Sequence, residues 1–210
     1  MKKKNILLIG TGGTVTAKMI DGSWKPGEYN EKELLSFMPE MKDIANLELM
    51  SLYNMDSSNI QPKYWIRIAK AIKDNYSKYD GFVITHGTDT MHYTASALSF
   101  LLQNISKPIV LTGSQVPVHI LGSDVRKNIL DAIRVVTQTC IHEIMIVFNG
   151  KILRGNRSKK FREVEFEAFE SIGMLPLGII EHEIRHTGEN YCNDNVNSEL
   201  KFFDKIEEKV

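Results

Sequence analysis

Short apolar runs closed by glycine-rich turns recur along this chain, and they leave few folds open. One is Ile6-Leu7-Leu8-Ile9, closed by Gly10-Thr11-Gly12-Gly13-Thr14. Another is Phe82-Val83-Ile84, closed by Thr85-His86-Gly87-Thr88-Asp89-Thr90. Runs of this length between glycines read as strands buried on both faces, as in parallel sheets. Strands are expected at 5–9, 47–52, 82–85, 109–112 and 144–148. The last turns back through Asn149-Gly150 into 151–153. Helical spacing alternates with them. Pro62 opens a helix with Trp65, Ile68, Ala69 and Ile72 on one face, residues 95–102 lie in another, and a third from Asp124 carries Ile129, Ile133 and Val136. The alternation predicts an α/β fold of three layers, a mostly parallel sheet with a β-hairpin between helices.

Elsewhere the pattern is less regular. Residues 15–29 read as a mobile loop, broken by Asp21-Gly22-Ser23 and Pro26-Gly27. Asn30 and Glu33 have the shape of a helix cap and its partner, so a short helix is expected to about Met38. Residues 191–197 are polar without a period and read as a linker or exposed loop, with Phe202-Phe203 docking back or opening a further element. The expected division is a main domain at 1–185 and a linker or extension at 186–210.

The 210 residues suit one domain with an appendage, and 42% hydrophobic with 25% charged suits a globular chain. A formal net charge of +0 gives no electrostatic reason to expect nucleic acid or a membrane surface as partner. No apolar stretch approaches the roughly 20 residues of a membrane span, and the run behind Lys2-Lys3-Lys4 is too short for a secretion signal. Cys140 and Cys192, with no paired spacing, favour a reducing, cytoplasmic setting. Cys140 reads as a small buried side chain on a helix.

Both threonine turns fall at the carboxyl ends of strands, where open α/β sheets hold their ligands. A threonine hydroxyl is a poor nucleophile until a base takes its proton, and glycine-turn N–H groups suit a developing oxyanion. Thr14 stands on one turn, Thr88 and Asp89 on the other. Neither motif contains the base. Thr88 also reads as a cap for the helix that follows.

Gly12-Gly13-Thr14 resembles the first signature of the L-asparaginases, and residues 81–90, Gly-Phe-Val-Ile-Thr-His-Gly-Thr-Asp-Thr, resemble the second. Residues 107–115, Lys-Pro-Ile-Val-Leu-Thr-Gly-Ser-Gln, and 148–155, Phe-Asn-Gly-Lys-Ile-Leu-Arg-Gly, are similar to later segments of that family. The likeness runs from about residue 4 to about residue 182. It implies the fold of the family's amino-terminal domain and hydrolysis of L-asparagine to L-aspartate and ammonia, with L-glutamine as a further substrate. Thr14 would be the nucleophile. Thr88, Asp89 and Lys160 would form a second catalytic group, Lys160 drawing the Thr88 proton, with Lys159 as the alternative lysine. Thr88 and Asp89 would also touch substrate, Asp89 at its α-amine. Ser57, or Ser58, would bind the α-carboxylate. Tyr29 would be the lid tyrosine, with Trp24 the other aromatic of that loop. No metal and no organic cofactor is implied, and a homo-oligomer is expected. The family's carboxy-terminal domain would begin near 195–205, where this chain stops, so a weakly active or inactive domain that binds amino acids or a partner is the second reading.

Other patterns carry less. His182-Glu183-Ile184-Arg185-His186 matches a zinc-binding helix, but it follows the strand-like run 177–180. In a strand, residues four apart stand roughly 13 Å from each other, too far for one ion. The glycines after the first strand lack the sixth-position glycine of a dinucleotide loop, since Val15 stands there. His86 and His92 flank the second motif, and His86 reads as a support for its turn. Arg154, Arg157, Lys159 and Arg162 read as a solvated basic face.

Overall fold

The computed structural model describes residues 2–13, 15, 18–20, 23–25, 36, 38–188 and 199–208. In chain order the strands are β1 (Asn5–Gly12), β2 (Lys18–Ile20), β3 (Ser23–Lys25), β4 (Asn46–Met55), β5 (Gly81–Thr85), β6 (Leu102–Gln103), β7 (Ile109–Thr112), β8 (Ile144–Phe148), β9 (Lys151–Arg154), β10 (Ser158–Lys160), β11 (Phe169–Ser171), β12 (Gly178–Ile180), β13 (Ile184–His186) and β14 (Lys201–Phe202). The helices whose bounds fall among the described residues are α1 (Met41–Ile44), α2 (Pro62–Asn75), α3 (Met91–Leu101) and α4 (Val125–Gln138).

Eight strands make one sheet in the order β13-β12-β9-β8-β7-β5-β1-β4. From β4 to β8 all neighbours run parallel. From β8 to β13 they run antiparallel. Side chains alternate across each parallel strand. Leu7, Ile9, Phe82, Ile84, Ile109 and Leu111 join α2 and α3 in the core on one face. Ile6, Leu8, Val83, Val110, Met145 and Val147 join α4 on the other. This burial on both faces is what the continuous apolar runs encode. The β8–β9 hairpin turns through Asn149 and Gly150, at φ 46° and 76°, the left-handed pair that suits a two-residue turn.

The parallel strands follow the chain order second, first, third, fourth, fifth. The chain leaves β1 for one side and returns on the other, so the gap between the carboxyl ends of β1 and β5 is a topological switch point. Ligands of open sheets bind at such a gap.

Several expectations are corrected. The loop expected at 15–29 contains an antiparallel hairpin, Lys18 opposite Lys25 and Met19 opposite Trp24. Cys140 is exposed, not buried on a helix: α4 ends at Gln138, and Thr139 is extended at φ −107° and ψ 162°. The Cys140 sulfur is in a disulfide, which also overturns the reading of the two cysteines as a sign of a reducing setting. Cys192 lies outside the described residues, as do the linker at 191–197 and all of the helix expected at 30–38 except Ser36 and Met38. Phe202 does dock back. β14 pairs with β6, and Leu200, Phe202 and Ile206 pack on the core. Among the described residues no helix is long and apolar enough to cross a membrane.

Candidate active site

The two glycine turns meet at the switch point. Gly12 and Gly13 take φ of 98° and 84°, and the Gly13 N–H donates to the Met55 carbonyl at 3.2 Å. A β-carbon on Gly13 would stand 2.5 Å from the Gly87 nitrogen, and one on Gly87 would stand 2.6 Å from Ser57 Oγ. Only glycines permit this approach. Ser57 is buried against Gly87, in a short 3-10 turn over Ser57–Asn59. Ser58 is exposed, and its N–H donates to Asp56 Oδ1 at 2.8 Å. Thr14 and Tyr29 lie outside the described residues.

The turn after β5 is held group by group. Thr11 Oγ1 donates to the Thr85 carbonyl at 2.8 Å, and the His86 N–H donates to the Thr112 carbonyl at 2.9 Å. His86 is buried beneath the turn, and burial pushes its pKa down to about 4. The ring is therefore neutral near pH 7. Its Nδ1 lies 2.7 Å from the Gly87 carbonyl, which can only accept, so Nδ1 carries the proton. Nε2 then accepts from Thr94 Oγ1 at 2.9 Å. The turn-supporting reading of His86 agrees with this network.

Lys160 supplies the cation that the threonine motifs lack. Its Nζ lies 2.9 Å from Thr88 Oγ1 and 2.7 Å from Asp89 Oδ1. The lysine side chain is 9% exposed and the aspartate 60%, so the pair adds little stability. Lys160 closes β10, opposite Phe169 of β11, and Phe169 packs edge-on against Phe148 at 5.0 Å. Lys159 points the other way, exposed, with Nζ 5.2 Å from the Phe161 ring centre. The structure thus brings Lys160, and not Lys159, to Thr88. A cleft of about 520 Å³, lined by Asp89, His92, Tyr93 and both lysines, opens beside them.

Thr88 does not cap the following helix. The cap position of α3 is Thr90, which makes no side-chain cap bond, because its hydroxyl donates to the Ser57 carbonyl at 2.7 Å. The Thr88 hydroxyl donates instead to Gln115 Oε1 at 3.0 Å. Sequence patterns alone do not single out Gln115 or Thr90. For Gln115 the available signal is position, since its Thr-Gly-Ser-Gln run closes β7 at the carboxyl edge of the sheet. Arg154 also departs from the solvated basic face, gripping Glu143 with Nε and a terminal nitrogen at 2.5 and 2.8 Å. The run 182–186 is bend followed by β13, so its two histidines do not share a helix face.

The family model for the amino-terminal asparaginase domain matches residues 5–191. The chain is 43% identical over 182 residues to L-asparaginase 1 of Escherichia coli, covering 84% of this chain and 53% of that relative. It is 36% identical over 211 residues to the L-asparaginase of Dirofilaria immitis, covering 88% of this chain and 36% of that relative. The crystal structure of L-asparaginase I from Vibrio cholerae matches with a TM-score of 0.87 at 39% identity, over 96% of this chain and 61% of that one. The chain thus spans about half the length of the bacterial relative and about a third of the Dirofilaria one.

Proposed function

This chain belongs to the asparaginase family, and on that premise we propose that it hydrolyses L-asparagine to L-aspartate and ammonia. The observation that carries the reading is Lys160 Nζ within hydrogen-bond reach of both Thr88 Oγ1 and Asp89 Oδ1. Beside it, Gly13, the residue before Thr14, packs on Gly87. This is a hydroxyl, a potential base and a carboxylate that orients the base, the logic of a nucleophile relay in other side chains. As an ammonium, Lys160 donates to Thr88, whose own proton points to Gln115. As an amine, it accepts that proton, and Asp89 keeps the amine in place. The Thr14 hydroxyl adds to the side-chain amide carbon, the C–N bond breaks, and ammonia departs with the proton. The ester left on Thr14 is attacked by water, which releases aspartate and restores the hydroxyl.

Ser57 binds the α-carboxylate and Asp89 the α-amine in this scheme, and Tyr29 covers the site. L-glutamine is a second substrate. Self-association of the chain is part of the reading, supported by large apolar side chains in solvent such as Phe100, Leu121 and Val164. So is residence in the cytoplasm. The test is ammonia release from L-asparagine, with Thr14→Ala as control. The variant is expected to lose turnover by about 10³-fold or more, and full activity in it overturns the assignment. No release by the unaltered chain, with aspartate still bound, would instead leave a binding scaffold.

A further inference from the structure

Beneath the candidate site lies a chain of hydrogen bonds, two buried and one half-buried, that the proposed reaction does not use directly. Trp65 Nε1 on α2 donates to Thr94 Oγ1 on α3 at 3.0 Å. Thr94 Oγ1 donates to His86 Nε2 at 2.9 Å, and His86 Nδ1 donates to the Gly87 carbonyl at 2.7 Å. Thr94 and His86 are fully buried. The polarity is consistent from end to end: each member gives one proton forward, and the last acceptor is a backbone carbonyl of the threonine turn. In a planar trans peptide the C=O and the next N–H point opposite ways. Drawing the Gly87 carbonyl down onto the imidazole therefore turns the Thr88 N–H away from it. It also sets the plane from which the Thr88 side chain reaches Lys160. Gly87 has little room to relax otherwise, since Gly13 and Ser57 pack closely on it.

We propose that His86 is a positioning residue for the reaction, holding the Gly87–Thr88 peptide in register with Lys160, and that Thr94 and Trp65 fix the ring tautomer that does so. The proposal rests on the hydrolytic reading of the same site. Without the Thr94 hydroxyl, Nε2 loses its donor, and the ring is free to carry its proton on Nε2. The bare Nδ1 would then face the Gly87 carbonyl, two acceptors against each other, and the peptide would turn.

The test combines Thr94→Val, which keeps the shape and removes the hydroxyl, with Thr94→Ser, which keeps the hydroxyl. Valine is expected to lower kcat about tenfold with KM within twofold, as a small misplacement of a reacting group does, and serine is expected to restore kcat. A role in packing alone would give the opposite order, with valine the milder change. The nitrogen shifts of His86 by NMR are the companion measurement, readable whether or not valine folds. They are expected to show the Nδ1–H tautomer in the unaltered protein. A dominant Nε2–H tautomer, or an unchanged kcat in Thr94→Val, overturns the proposal. Absence of turnover in the unaltered protein would overturn the hydrolytic reading instead, and the tautomer would still report on the relay.

Discussion

The turn after β5 and the β10–β11 hairpin meet at one lysine, and they are built to different standards. In the turn, residues 85–87 each have a polar group bonded to the interior of the fold, and the Thr88 hydroxyl bonds to half-buried Gln115. Strands β1 and β7 flank it on both sides. The hairpin has three residues in each strand and hangs on Phe169 as its buried ring. Its connecting loop leaves Phe161, Val164 and Phe166 in solvent. What steadies that loop is a polar side chain from the opposite wall. The Gln115 amide donates to the carbonyls of Glu163 and Glu165 at 2.7 and 3.1 Å while its oxygen accepts from Thr88. The backbone at the threonine end is thus set by the core, the lysine end rests on a thin sheet, and the one Gln115 amide ties the two together. Segments with few buried contacts open at lower free energy, so the geometry of Lys160 is the half of the site most easily lost.

The largest effect should come from removing the group that joins the two regions. Lys160→Met is expected to lower kcat/KM for asparagine by about 10³-fold, with the thermal midpoint moved only a few degrees. Steady-state ammonia release and calorimetry read the two quantities. Near-normal turnover would disconnect the hairpin from the chemistry.

The buried turn has its own signature in acid. The folded pKa of His86 is about 4, against 6.5 for the free side chain. Above pH 6.5 neither folded nor unfolded chain binds the proton, so the full stability is present. Between pH 6.5 and 4 the unfolded chain takes the proton and the folded chain does not. Stability therefore falls with acid, by up to about 3 kcal/mol. Urea unfolding at pH 7 and pH 4.5 should show this fall, and His86→Gln should remove that part of it. Equal slopes in the two proteins would contradict a buried neutral ring.

One alanine in each region tests the contrast in construction directly. Gly87→Ala forces a β-carbon to within 2.6 Å of Ser57 Oγ and is expected to cost about 2 kcal/mol, the ordinary penalty of overpacking. Val164→Ala, at a side chain 81% exposed, should stay within about 0.5 kcal/mol. Comparable losses at both sites would erase the difference between turn and hairpin. The smallest effect belongs to Lys159→Ala, whose ammonium lies over Phe161. Its kcat/KM should change by less than about twofold, and a loss matching that of Lys160→Met would reverse the choice between the two lysines.

What is local in this protein is legible in its residues. Burial on two faces leaves unbroken apolar runs, and α2 and α4 leave apolar residues at helical spacing, so strands, helices and layers can be read from Ile6, Phe82, Ile109 and Ile129 outward. The glycine-threonine turns are equally local, and so are the family likeness and the pairing of Thr88 with Asp89. Whatever depends on closing long stretches of chain emerges only on folding. Lys160 stands 72 residues from Thr88, and no spacing rule distinguishes it from Lys159. That choice follows from the β10–β11 register, which puts Lys160 opposite Phe169. The same holds for Gln115, for the switch point between β1 and β5, and for Trp65, Thr94 and His86, which meet only when α2 and α3 pack on one face of the sheet. Cys140 departs from its expected helix because one extended residue, Thr139, ends that helix early. Side-chain periodicity records which face of an element is buried. It carries no information about which distant element arrives there, because strand order and register set that.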